Sequence, residues 1–148
     1  MQTKSLQTKR ALRTTLLVLL LSLAGMEKIM AQTFTSDNLN YRINNDGISV
    51  TVTGHVDGQN ATGLLVLPEN VNYQGRSYSV TSIGACAFFG CSGFTGSLTI
   101  PNSVVTIGDG NHSSGVDPRG AFEGCTGFTG SLTIGNSLTR IGANAFFG

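Results

Sequence analysis

The 148-residue sequence has no tryptophan, only three prolines and three cysteines, and two histidines, His55 and His112. An odd number of cysteines leaves at least one unpaired, so a disulfide framework is not what holds this chain together. Two histidines at distant positions fall short of the four ligands that a tetrahedral metal site needs. No apolar stretch reaches the roughly 20 residues of a bilayer-spanning helix. No segment after residue 31 keeps apolar residues at helical spacing for three turns, which argues against a helical protein. No glycine-rich element is followed by Lys-Ser or Lys-Thr, so the glycines do not announce a nucleotide site.

Lysine is also missing from most of the chain. Five of the nine basic residues (Lys4, Lys9, Arg10, Arg13 and Lys28) precede residue 32. They flank the apolar run Leu16–Ala24, which is followed by Ile29-Met30-Ala31. A basic start, a short apolar run and a small residue at the cut describe a secretory signal over residues 1–31. No cysteine follows the apolar run, so nothing points to a lipoprotein anchor there. The segment after Ala31 keeps four arginines (42, 76, 119 and 140) against seven acidic residues, a formal charge of −3. That surface cannot neutralise many phosphates, which excludes a nucleic acid as partner. The remaining 117 residues suffice for one domain with its own core.

What the sequence does have is a segment written twice. GCSGFTGSLTIPNSVVTIG starts at Gly90 and GCTGFTGSLTIGNSLTRIG at Gly124, an offset of 34. Ile83 to Ile107 is 24 residues, Phe88 to Phe122 is 34, and Phe122 to Phe146 is 24. The basic unit is therefore 24 residues, with ten extra between Asp109 and Gly120. A period of this size is the mark of a solenoid whose units bury their apolar faces only against one another. Within a unit, Leu98 and Ile100 alternate with Ser97 and Thr99, and Leu132 and Ile134 with Ser131 and Thr133, the two-residue period of a half-buried strand. Stacking puts like on like, so ladders of Leu, Ile and Phe are predicted inside.

Residues 32–63 read as an N-terminal β cap. Leu39, Tyr41 and Ile43 alternate, Asn44-Asn45-Asp46-Gly47 is a turn, and Ile48, Val50 and Val52 alternate again, which predicts a hairpin. Leu64-Leu65-Val66-Leu67-Pro68 matches the strand ending in Ile100-Pro101, so a first coil is predicted to start near Leu64. A second hairpin is predicted at residues 72–78. The repeats then run over 64–148. They stop at Phe147-Gly148, where earlier copies continue into Cys and another strand, so the chain reads as a truncated repeat array.

The units Ile83-Gly84-x-x-Ala87-Phe88-x-Gly90-Cys91 and Leu98-Thr99-Ile100-Pro101-Asn102-Ser103-Val104 resemble the BspA-like leucine-rich repeats of bacterial surface proteins. The resemblance implies a mainly β leucine-rich repeat solenoid, secreted or surface-attached, that adheres to host or microbial proteins or glycans, without cofactor and without catalytic residues. The insert after Asp109 and Gly135 in place of a proline depart from the pattern. A different reading keeps the repeats non-catalytic and makes them the targeting or spacer arm of a larger secreted enzyme lying beyond residue 148.

Candidate partner-binding residues are the outward strand positions Ser97, Thr99, Ser131 and Thr133 and the insert residues Asn111, His112, Asp117 and Arg119. Asp109, Asn111, Ser113 and Asp117 imitate calcium-loop spacing, but the loop's glycine and bidentate glutamate are missing. Ser113, His112 and Asp117 have the residue types of a catalytic triad without an oxyanion-hole context. Cys91 and Cys125 share one repeat position. Adjacent coils bring them near enough for a disulfide, yet in-register neighbours point the same way, which favours buried thiols.

Overall fold

A computed structural model describes residues 32–108 and 119–148; the predicted signal and most of the insert lie outside the described residues. The described chain is built from strands and turns: β1 (Thr33–Ser36), β2 (Leu39–Ile43), β3 (Ser49–His55), β4 (Thr62–Gly63), β5 (Asn70–Tyr73), β6 (Arg76–Ile83), β7 (Gly93–Phe94), β8 (Leu98–Ile100), β9 (Thr106–Ile107), β10 (Leu132–Ile134) and β11 (Arg140–Ile141), with a single turn of 3-10 helix at Gly58–Asn60. No α-helix occurs among the described residues, and none of them forms a segment long and apolar enough to cross a membrane as a helix.

The chain enters through two hairpins. Asp37 and Asn38 take left-handed backbone conformations (φ +48° and +64°), the geometry a two-residue turn between twisted strands demands, and β1 pairs antiparallel with β2. β2 then pairs antiparallel with β3, as the alternation predicts. Ile48 departs from that alternation and is 65% exposed. The Asp46 carboxylate accepts the backbone N–H groups of Ile48 and Ser49, both at 2.9 Å, and so holds residue 48 in the turn. β3 lies between two neighbours and is buried on both faces, polar Ser49 and Thr51 included. Their hydroxyls are satisfied by Asp46 (2.6 Å) and by the Asn44 side-chain oxygen (2.7 Å), which removes the cost of burying them.

From β3 onward the pairing turns parallel. Val52 sits beside Ile83, Ile83 beside Ile107, and Ile107 beside Ile141, in chain steps of 31, 24 and 34 residues. β4 lies against β7 and β8 against β10 as two separate small parallel sheets, so the coil from β6 to β9 leaves the large sheet, passes each of them in turn and returns to it. The stacking thus reaches back through β3 and β4, ahead of Leu64. β5 and β6 form the second predicted hairpin, turning through Gln74 and Gly75 at φ +49° and +76°.

The predicted ladders form the core. Phe88, Phe122 and Phe146 stack with ring centroids 5.1 and 5.3 Å apart, and Phe94 stacks on Phe128 at 5.9 Å. Such rings bury large apolar areas that no single coil could cover alone. The coils approach so closely that a β-carbon on Gly127 would run into the carbonyl oxygens of Ser92 and Phe94. Gly135 stands where the previous coil has Pro101 for two reasons. Its N–H donates to the Ile100 carbonyl (2.9 Å), which proline could not do, and a β-carbon there would lie 2.6 Å from the Pro101 oxygen. The last coil leaves Leu132, Ile134, Ile141 and Phe146 partly open, at 39 to 49% exposure.

Candidate binding surface

The Ser-Leu-Thr-Ile strands create the surface by alternation. Leu98 and Ile100 are buried, at 4% and 1%, while Ser97 and Thr99 face outward, and Ser131 and Thr133 are exposed in the next coil. The β8–β10 register sets Thr99 directly beside Thr133. The Ser97 hydroxyl accepts the Ser131 N–H (3.1 Å), and the Asn102 side-chain oxygen accepts the Asn136 N–H (2.9 Å), so short polar side chains stitch one coil to the next. The four predicted strand positions are thereby brought together on one uncharged strip.

The same strip is bordered by a cleft of about 510 Å³ between the extended segment Leu64–Leu67 and β8, lined by those four residues with Ser97 and Thr99. The cleft follows from residue counting. Gly63 pairs with Phe94, and its carbonyl accepts the Thr95 N–H at 2.7 Å. One residue then separates Gly63 from buried Leu65, whereas three separate Phe94 from buried Leu98. The surplus bows outward at Gly96 (φ +76°), against which the Leu64 side chain wedges: a β-carbon on Gly96 would lie 2.7 Å from it. Leu65 and Leu67 are buried and Leu64 and Val66 exposed, as in a strand, but the segment joins no ladder; the strand predicted from its likeness to Leu98–Pro101 is therefore absent.

Leu64 and Val66, 71% and 73% exposed, are surface residues that the sequence reading did not single out. A run of four apolar residues hides its own facing. Asn111, His112 and Asp117 lie outside the described residues. Arg119 is exposed and stands elsewhere, with its guanidinium 4.4 Å from the Phe89 ring centroid and its carbonyl accepting the Cys86 thiol at 3.5 Å.

The three thiols and His55 each have a partner within the fold. All three cysteines are free thiols. Cys91 donates to the Gly58 carbonyl (3.2 Å) and Cys125 to the Phe88 carbonyl (2.9 Å). Burial pushes both thiols up, Cys125 to about 11 with the neighbouring Cys91 adding to the effect, so neither supplies a thiolate nucleophile near neutral pH. His55 accepts the Asp57 N–H (3.2 Å) and packs edge-on against Phe94. Among the described residues no group of three His, Cys, Asp or Glu side chains is placed to hold a metal ion.

Comparison with known proteins agrees with the coil architecture. The family described as "BspA type Leucine rich repeat region (6 copies)" matches residues 69–114 and 118–148. A leucine-rich repeat protein from Bacteroides capillosus is similar in structure, with 28% identity, 72% of this chain and 67% of its own covered, and a TM-score of 0.53. Another, from Bacteroides ovatus, is 26% identical over 76% of this chain, with a TM-score of 0.56; this chain spans 27% of that protein's length. No match is found among curated proteins. With its stacked coils and matched repeats, the chain belongs to the BspA-type leucine-rich repeat family.

Proposed function

We propose that the chain is an exported, surface-displayed and non-catalytic binding module, and that it adheres to an extracellular protein or glycan through the strip formed by β8 and β10. The observation that carries this reading is the register that aligns Ser97 and Thr99 with Ser131 and Thr133 as an outward, uncharged row, beneath which Leu98 and Ile100 are buried. Repeats hold such a row rigid, so little ordering entropy is lost when a partner docks. The basic start and apolar run of residues 1–31 support export, and the family supports a binding role. The insert residues Asn111, His112, Asp117 and Arg119 add a second, more individual contact in this reading, since the insert is where one repeat differs in sequence from the others.

The test is binding of the chain to arrays of extracellular matrix proteins and of microbial surface glycans, repeated with the variant Ser131→Arg/Thr133→Arg. Two bulky charges on the row are expected to weaken capture at least about tenfold. Unchanged capture by the variant, or no capture by the parent chain, overturns the reading.

A further inference from the structure

We infer that the cleft beside β8 takes an extended, uncharged peptide segment of a partner protein, which adds to β8 as a strand. The inference rests on the reading above, that this face binds a partner, and specifies what the partner presents.

The backbone of β8 decides the matter first. The Gly96 carbonyl accepts the Gly130 N–H (2.8 Å), and the Leu98 N–H donates to the Ser131 carbonyl (3.0 Å), so both point toward the following coil. In a planar trans peptide the C=O and N–H point in opposite directions. The Ser97 N–H, joined to the Gly96 carbonyl, and the Ser97 C=O, joined to the Leu98 N–H, therefore turn into the cleft. The β8–β10 ladder engages Leu98 and Ile100 in the same way, so the N–H and C=O of Thr99 turn there as well. None of these four groups has a hydrogen-bond partner among the described residues. A row of unpaired donors and acceptors at strand spacing is a template for another strand.

The cleft selects the rest. At about 510 Å³ it admits about four residues, roughly 13 Å at a strand's rise. Its opposite wall carries exposed Leu64 and Val66, and its lining includes no charged side chain, so a charged segment would lose water without gaining a counter-charge. The lining also offers no aromatic face or carboxylate against a sugar ring, which favours a peptide over a glycan at this spot.

The probe is a display library of linear octapeptides selected against the immobilised chain, the selected peptides then being titrated against the chain, Thr99→Pro and Val66→Lys. Proline at 99 removes an N–H the fold does not use and leaves the β10 side of the strand intact. Selected peptides are expected to be uncharged with alternating apolar residues, and to bind each variant at least about tenfold more weakly. Methylating alternate backbone amides of the same peptide is expected to give an equal loss with the protein untouched. Peptides that bind Thr99→Pro and the methylated forms as well as the originals overturn the inference, as does a library with no binder below about 1 mM. If the chain then still captures a glycan or a folded protein, the wider reading stands without this one; if it captures nothing, both fall.

Discussion

Cys86 and Asn144 hold the same corner of two different coils in nearly the same left-handed backbone conformation, φ +59° and +56°. The hydrogen bonds around them coincide too: Phe89 donates to the Cys86 carbonyl and Phe147 to the Asn144 carbonyl, each at 3.1 Å. The corner asks for a residue that tolerates positive φ, and asparagine meets that demand better than cysteine.

Cys86→Asn is therefore expected to stabilise the fold by about 0.5–1 kcal/mol, and Asn144→Cys to destabilise it by a similar amount. Urea midpoints read both effects. A lower midpoint for Cys86→Asn would mean that the contact between its thiol and the Arg119 carbonyl outweighs the backbone preference.

The phenylalanine ladder separates an interior rung from a terminal one. Phe122 is 3% exposed between two rings, whereas Phe146 is 39% exposed with a single stacked neighbour. Phe122→Ala should cost about 3–5 kcal/mol and Phe146→Ala less than about half of that. Equal losses in denaturant titrations would contradict the view that coils are held by their neighbours.

Alkaline pH gives a third test. Burial, with Asp37 nearby, pushes the Tyr41 hydroxyl up to about 12, and burial with Cys91 nearby pushes Cys125 up to about 11. In both cases the unfolded chain ionises first, so unfolding releases a proton and stability falls as pH rises, from about 9 to 11 for the thiol and from about 10 to 12 for the phenol. The unfolding midpoint should drop over that window, and Tyr41→Phe and Cys125→Ala should each flatten the drop. The Tyr41 hydroxyl is buried with no hydrogen-bond partner among the described residues, so Tyr41→Phe should lose no stability at pH 7. A midpoint that rises with pH would reverse the assigned sign.

The parts of this fold that could be read from the sequence are those where one coil repeats another. Phe88, Phe122 and Phe146 fall at equivalent positions, and identical side chains at equivalent positions stack. Alternation gave away the facing of Ser97–Ile100, because polar and apolar residues take turns there. It gave nothing at Leu64–Leu67, where every residue is apolar, and hence the cleft went unread. The parallel pairing of β3 with β6 left a short signal, Ser49-Val50-Thr51 recurring as Ser79-Val80-Thr81 with Ser49 beside Ser79 and Val50 beside Val80, but the offset of 30 differs from the 24-residue unit and the register shifts between Val50 and Thr51, so a 24-residue period passes over it. The Asp37–Asn38 turn and β1 were legible in principle, since two residues suited to positive φ sit between alternating segments.

The rungs Val52, Ile83, Ile107 and Ile141 are adjacent in space although unequal lengths of chain connect them. The step from Ile107 to Ile141 is ten residues longer than that from Ile83 to Ile107, yet both pairs of strands keep the same in-register parallel pairing. The length of chain between two rungs is thus a free variable, and segments of different size can be exchanged between the same pair of rungs, much as attachments are changed on a fixed handle.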